Sequence, residues 1–268
     1  DKKITRETNS FYGADQSAGY YNKCLVNKDA IKPIQQAVNE ARKFHYENTL
    51  PWGDSGERLL PSKNYLDYTS RMRELNAAFD REVEKFLQVY PTLIEDAEYK
   101  LNKMFNRADY PDVYQLRQRF SFTTEINPVP SGEDFRVNLA QAEQEDIRKQ
   151  IEHQTRKAQA QAMEDLWDRL YDVVSKMADR LSESDAVFRD SLVGNVQSLV
   201  QLLPKLNVTE DPDLDKLGKE VERRLCKYTP ADLRKNEAAK TEAYHDASAI
   251  VEFMGAYMGN SKTREAAA

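Results

Sequence analysis

Two long stretches constrain this chain more than anything else in it. Residues 62–107 and 140–182 each repeat apolar side chains at steps of three and four, the helical period. In the first run the stripe is Tyr68, Met72, Leu75, Phe79, Val83, Phe86, Tyr90, Leu93, Ala97, Leu101 and Met104, with Arg71, Glu74, Arg81, Glu84 and Lys85 on the opposite face. Ser62, between Pro61 and the start of the stripe, has the chemistry of an N-cap. Pro91 lacks an N–H and disfavours helical backbone at Tyr90, so the run is either one kinked helix or two. The stripe continues nearly in phase through Leu93, Ile94 and Ala97, which favours the kink. At 1.5 Å per residue such an arm spans about 65 Å.

The second stripe is Ile147, Ile151, Ala158, Ala162, Leu166, Leu170, Val173, Met177 and Leu181, weak in its first half and strong from Met163 onward. The expected fold is therefore mainly α. It is an elongated antiparallel helical hairpin within a helix bundle, carrying a small β-hairpin insertion at its tip. Antiparallel pairing sets the strong half of the second arm beside the start of the first. Phe79, Phe86, Trp167 and Leu170 are then expected to be buried together near the base.

The rest of the chain is arranged around these arms. Residues 1–61 read as an irregular segment, a helix and a short hairpin, all packing on the body. In this part Phe11, Tyr12, Tyr20, Tyr21 and Leu25 are the anchors, and Asn27 or Asp29 caps a helix with Pro33 in its first turn. Gly53-Asp54-Ser55-Gly56 marks the turn of the short hairpin, held by Trp52 and Leu59-Leu60. Residues 62–182 form the long hairpin, with an α/β tip at about 108–139. There a short helix begins at Val113, and alternation over residues 120–126 and 134–138 flanks a Pro/Gly turn, the pattern of a β-hairpin. Residues 183–259 read as C-terminal helices, the last starting at Thr229-Pro230 and closed by Gly259-Asn260, and residues 260–268 as a frayed tail.

Composition narrows the function. The net charge of −6 and pI near 5.4 argue against a global drive toward nucleic acid. No apolar run approaches the ~20 residues that span a membrane, no signal-peptide core is present, and Cys24 and Cys226 make no disulfide framework. A cytoplasmic location is expected.

The residues supply no catalytic constellation. His45, His153 and His245 are in no metal-ligand spacing, and phosphate-binding glycine loops and nucleophile elbows are absent. Acidic pairs such as Glu164 and Asp168 suit a solvated face, as does the mixed cluster Lys216, Lys219, Arg223, Arg224 and Lys227. No cofactor, metal or enzymatic activity is expected. The tip interleaves Arg107, Arg117, Arg119 and Arg136 with Tyr110, Tyr114, Phe120, Phe122 and Phe135. Arginine beside aromatics suits both single-strand binding and protein-interface hot spots. Asp109, Asp112, Glu125, Glu133 and Asp134 offset the charge and favour protein. The candidate partner-binding residues are Arg117, Arg119, Pro130 and Arg136.

Leu50-Pro51-Trp52, Arg58-Leu59-Leu60-Pro61, the Phe79, Val83, Phe86, Tyr90 spacing, Pro128-Val129-Pro130 and Asp134-Phe135-Arg136 together resemble a family of uncharacterised proteins of tailed bacteriophages and prophages. The resemblance covers roughly residues 20–230. That family has no established activity and no catalytic residues to carry over. Its genes often neighbour those of MoxR-type AAA+ ATPases, so the resemblance implies an adaptor role by association. The reading is an interaction protein presenting the tip to a protein partner, with an AAA+ ATPase or a second copy as candidates. The alternatives are a single-stranded nucleic-acid accessory protein and a virion or scaffolding component.

Overall fold

The computed structural model describes residues 2–53, 56–130, 141–183 and 190–265. The fold is mainly α, 76% helical, with one small antiparallel β-hairpin. The helices are α1 (Lys2–Phe11), α2 (Lys28–Glu47), α3 (Tyr65–Leu101), α4 (Val113–Arg117), α5 (Gln141–Ser182), α6 (Asp190–Leu206), α7 (Pro212–Leu225), α8 (Pro230–Lys235) and α9 (Glu237–Glu265). The strands are β1 (Leu50–Pro51) and β2 (Arg58–Leu59), paired Leu50 to Leu59 and Pro51 to Arg58.

Two compact units divide the chain. One is Asp1–Lys43 with Arg71–Glu125, and the other is Phe44–Ser70 with Ile126–Ala268. The division runs through α2 and α3, so each of these helices serves both units.

In the first unit α3 is a single helix that passes through Pro91 without interruption. It ends at Leu101, short of the expected Arg107, because Asn102 turns into the left-handed region at φ 46° and a 3-10 turn follows. Ser62 is not its N-cap. A 3-10 turn over Ser62–Asn64 precedes it, and the cap position there is Pro61, which makes no side-chain bond. The core of this unit joins Ile34 of α2 to Phe79, Val83, Phe86, Leu87, Tyr90 and Ala97 of α3 and to Tyr110. Asn27 caps the start of α2, its side chain accepting from Asp29 N at 3.1 Å. Pro33 is the sixth residue of α2, one turn deeper than expected.

Residues 2–11 correct a second expectation, since they are helical rather than irregular. No apolar stripe announces α1 because its buried residues are polar. Asn9 donates to the carbonyls of Gln16 and Gly19, both at 3.2 Å, and Thr5 Oγ1 accepts from Tyr21 N at 2.9 Å. The returning chain is thus held by polar bonds. Phe11, Tyr12 and Tyr20, expected as anchors, are more than three-quarters exposed.

In the second unit the strong half of α5 forms the centre. Ala162, Leu166, Leu170, Val174 and Met177 are completely buried with Val196 and Leu203 of α6, Val221 of α7 and Ala243, Ala247 and Met254 of α9. Helices α5 and α9 run antiparallel. Lys240, near the start of α9, donates to the Glu183 carbonyl just past α5 at 2.8 Å, and Tyr257 stacks on Trp167 at 4.7 Å. Trp167 also donates through Nε1 to Asp211, which caps α7. The two stripes therefore do not share one core. Phe79 and Phe86 belong to the first cluster and Trp167 and Leu170 to the second, although all four are buried as expected.

The expected single last helix is two. Asn236 leaves helical geometry, and its side chain accepts from Ala238 N and Ala239 N, so that it caps a new helix. That helix continues past Gly259-Asn260 to Glu265, through residues taken for a frayed tail. At the tip, residues 120–130 form no strand, and the second half of the expected hairpin, residues 134–138, lies outside the described residues. Among the described residues the β-hairpin is the one flanking Gly53, with Leu50 fully buried against the α5 core and Leu59 packed on it. Trp52 is half-buried.

The hairpin closes over the C-terminus of α2. Arg58 donates to the Thr49 carbonyl at 2.8 Å and stacks on Tyr46 at 4.7 Å, while Arg169 donates to the carbonyls of Tyr46 and Thr49 at 3.0 Å. Two guanidiniums thus meet the carbonyl end of the helix, where positive charge is favoured. His45 sits beside them, its Nδ1 joined to the hydroxyl of the buried Tyr68 at 2.9 Å. Burial first, and then the Arg58 charge, hold the His45 imidazole below its ordinary 6.5. The unfolded chain protonates this histidine more readily than the folded one. Its contribution to stability is complete above about pH 6.5 and is lost as pH falls from there toward the lower folded value. Urea unfolding at pH 7.5 and 5.5 should show a loss of stability on acidification that is smaller in His45→Gln. An equal loss in both proteins would exclude this histidine as a source.

Candidate functional site

The end of α3 and the residues that follow it carry the side chains that the sequence singles out. Three short structures build this end. A 3-10 turn over Arg107–Asp109 is capped by Asn106, whose side chain accepts from Ala108 N at 3.1 Å. Helix α4 is capped by Asp112, which accepts from Gln115 N at 2.9 Å. Between them Tyr110 turns inward, stacks on Phe105 and donates to the Leu25 carbonyl at 2.9 Å. After α4 the chain returns along α3, with Phe120 edge-on to Phe86 and Phe122 against Phe79, and Asn76 donates to the Phe122 carbonyl at 3.4 Å. These aromatics are the mortar of the tip and are not presented to a ligand.

The charges sort into two groups. Lys23 pairs closely with Asp109 and donates to the Met104 carbonyl at 3.0 Å. Arg117 bridges back to α3, meeting Glu84 at 3.0 Å and Asp80 at 3.2 Å, and its Nη1 donates to the Phe120 carbonyl at 3.2 Å. This placement gives Arg117 a structural role, fastening α4 to α3. Arg107 is exposed, oriented by a 2.7 Å bond to the Tyr110 carbonyl. Arg119 is exposed and makes no side-chain hydrogen bond or ion pair among the described residues. Both charges act on Tyr90, whose hydroxyl donates to the Pro111 carbonyl at 3.2 Å. Burial pushes the Tyr90 phenol up, and the two guanidiniums pull against it. Val113 and Tyr114, on the first turn of α4, are 42% and 74% exposed.

Pro130 is exposed and belongs to the second unit, and Arg136 lies outside the described residues. In this unit the structure leaves Arg107, Arg119 and Tyr114 exposed, and of these only Arg119 was singled out as a site residue. Arg107 and Tyr114 were visible as part of the arginine–aromatic composition. What the sequence hid is which arginine turns back on its own helix.

A second concave feature is a cavity of about 430 Å³ between α7 and α9. Leu217, Ala249, Ile250 and Phe253 give it an apolar lining. At its rim Lys216 pairs with Asp213 at 3.7 Å, and Glu220 holds both Arg223 and Arg224. Its charges are satisfied by one another, as suits the solvated face expected here. Among the described residues no three His, Cys, Asp or Glu side chains are grouped to hold a metal ion, and no helix is long and apolar enough to cross a membrane.

No protein-family model, curated protein or solved structure matches this chain. Its own geometry carries the functional argument.

Arg117 and Arg119 should separate cleanly. The ion pairs of Arg117 are partly exposed, and each is worth at most about 1 kcal/mol. Arg117→Ala should lower stability by roughly 1–2 kcal/mol through the lost pairs and the carbonyl left without its donor, whereas Arg119→Ala should leave it unchanged. Equal melting of the two variants would contradict the bridging role.

Proposed function

We propose that this chain is a non-catalytic docking protein that presents the α3–α4 end of its first unit to a protein partner. One observation carries the reading. The end is built rigidly from buried aromatics and capped turns, yet it leaves Val113, Tyr114, Arg107 and Arg119 outward. Exposed tyrosine and arginine on a braced turn offer a second chain anchors that lose little freedom on binding. These are also the residue types that dominate binding energy at interfaces. Two roles are distinct here: Arg117, Phe120 and Phe122 hold the surface, and Tyr114 with its arginine neighbours is the surface.

The resemblance to phage-encoded proteins suggests the first partner to assay, an AAA+ ATPase of the MoxR type, in keeping with an adaptor role. The surface itself does not require that identity.

Site-specific photocrosslinking tests the proposal. A benzophenone amino acid at position 114 should give a discrete protein adduct in lysate of the native cell. The same group at Leu66, which is 77% exposed in the second unit, serves as the control and should not. Adducts from neither position, or the same adducts from both, would overturn the reading.

A further inference from the structure

Four carboxylates of the α3–α4 end are already committed. Asp109 is paired with Lys23, Asp112 caps α4, and Asp80 and Glu84 hold Arg117. Arg107 and Arg119 have no carboxylate partner among the described residues. Two guanidiniums that both act on the Tyr90 phenol, itself bonded to the Pro111 carbonyl at 3.2 Å, therefore stand without an ion-pair partner among the described residues, and Tyr114, three residues beyond Pro111, is exposed. The wider charge distribution agrees. The first unit holds 17 Lys and Arg against 15 Asp and Glu, and the second holds 22 against 30. An acidic chain thus keeps a slightly basic unit, and two of its arginines without an ion pair flank α4 in the chain.

We propose that Arg107, Arg119 and Tyr114 form a docking surface for an acidic protein segment, in which side-chain carboxylates meet the two guanidiniums and an apolar side chain packs on Tyr114. This inference rests on the docking reading above and names the chemistry of the partner. Arginine presents a planar fork suited to two-point contact with a carboxylate, and Arg107 is already oriented by its bond to the Tyr110 carbonyl. Nucleic acid fits less well. Its affinity grows with the number of phosphates neutralised, and this surface offers two free guanidiniums. Exposed Glu95, Glu98 and Glu125 lie on the same unit and oppose a polyanion. A short acidic segment needs only local complementarity.

The test uses the full chain and defined probes. Fluorescence anisotropy is followed with a labelled peptide in which glutamates flank a central leucine, with the same peptide carrying lysines in place of the glutamates, and with a single-stranded oligothymidylate of similar length. The acidic peptide should bind saturably and weaken as salt rises. Binding should fall at least about tenfold, 1.4 kcal/mol in affinity, in the Arg107→Glu, Arg119→Glu double variant. It should be unchanged in Arg223→Glu on α7, and the lysine peptide should not bind. Arg119→Glu alone, which breaks no bond seen here, keeps the test valid if the double variant fails to fold, and should weaken binding in the same direction. Absence of acidic-peptide binding, or binding indifferent to both charge reversals, overturns the proposal. Tighter binding of the oligothymidylate that is lost in the same variants also overturns it and reassigns the surface to nucleic acid. The benzophenone adduct at position 114 distinguishes the two levels. An adduct that persists undiminished in Arg119→Glu leaves the docking reading standing while this inference fails, and no adduct in wild type removes the docking reading itself.

Discussion

A helix of 37 residues must have its apolar stripe covered along its whole length, and that requirement governs this fold. Helix α3 extends about 55 Å, farther than one compact core reaches. From Phe79 to Ala97 its stripe is covered by α2 and by the chain that returns after the helix ends. Phe120 and Phe122 come back to Phe86 and Phe79, and Tyr110 folds in beside Phe105. The tip therefore has its conformation because α3 needs a cover. Arg117 reinforces the arrangement from outside by tying α4 to Asp80 and Glu84. Once those side chains are committed inward, Tyr114, Arg107 and Arg119 are among those left exposed on α4 and its flanks.

The second unit solves a similar problem differently. Only the second half of α5 has a strong stripe, and α6, α7 and α9 enclose it. Polar bonds set the joints. Trp167 reaches Asp211, which caps α7, and Asn207 exchanges bonds with the Asp211 backbone in both directions. Lys240, almost wholly buried, places its ammonium on the carbonyl of Glu183 at the end of α5, where the helix dipole favours a cation.

Much of this was legible because periodicity reports burial directly. The stripes of α3 and of the second half of α5, the cap at Asn27 and the turn around Gly53 could all be read from residue order. The misreadings share a cause, which is that the deciding interaction was polar or distant. Helix α1 buries Thr5 and Asn9, so no apolar stripe marks it. Asn236 breaks the last helix by capping a new one, a role its identity permits and does not demand. Two stripes of similar quality do not say whether they face each other, and here they fill separate cores. Among the arginines of the tip, composition treats Arg117 and Arg119 alike, two residues apart, and only the path of the chain after α4 shows that one faces Asp80 and Glu84.

The central claim is that the α3–α4 end is a braced, preformed surface in the free protein. Amide hydrogen exchange reads this directly. The amides of Leu116, Gln118, Arg119 and Phe120 donate to backbone carbonyls at 2.9–3.3 Å, and the claim predicts that they exchange slowly, within reach of the α3 core amides. If residues 107–122 instead exchange at the rates of an unstructured chain while α3 stays protected, the surface is not preformed and the account is contradicted.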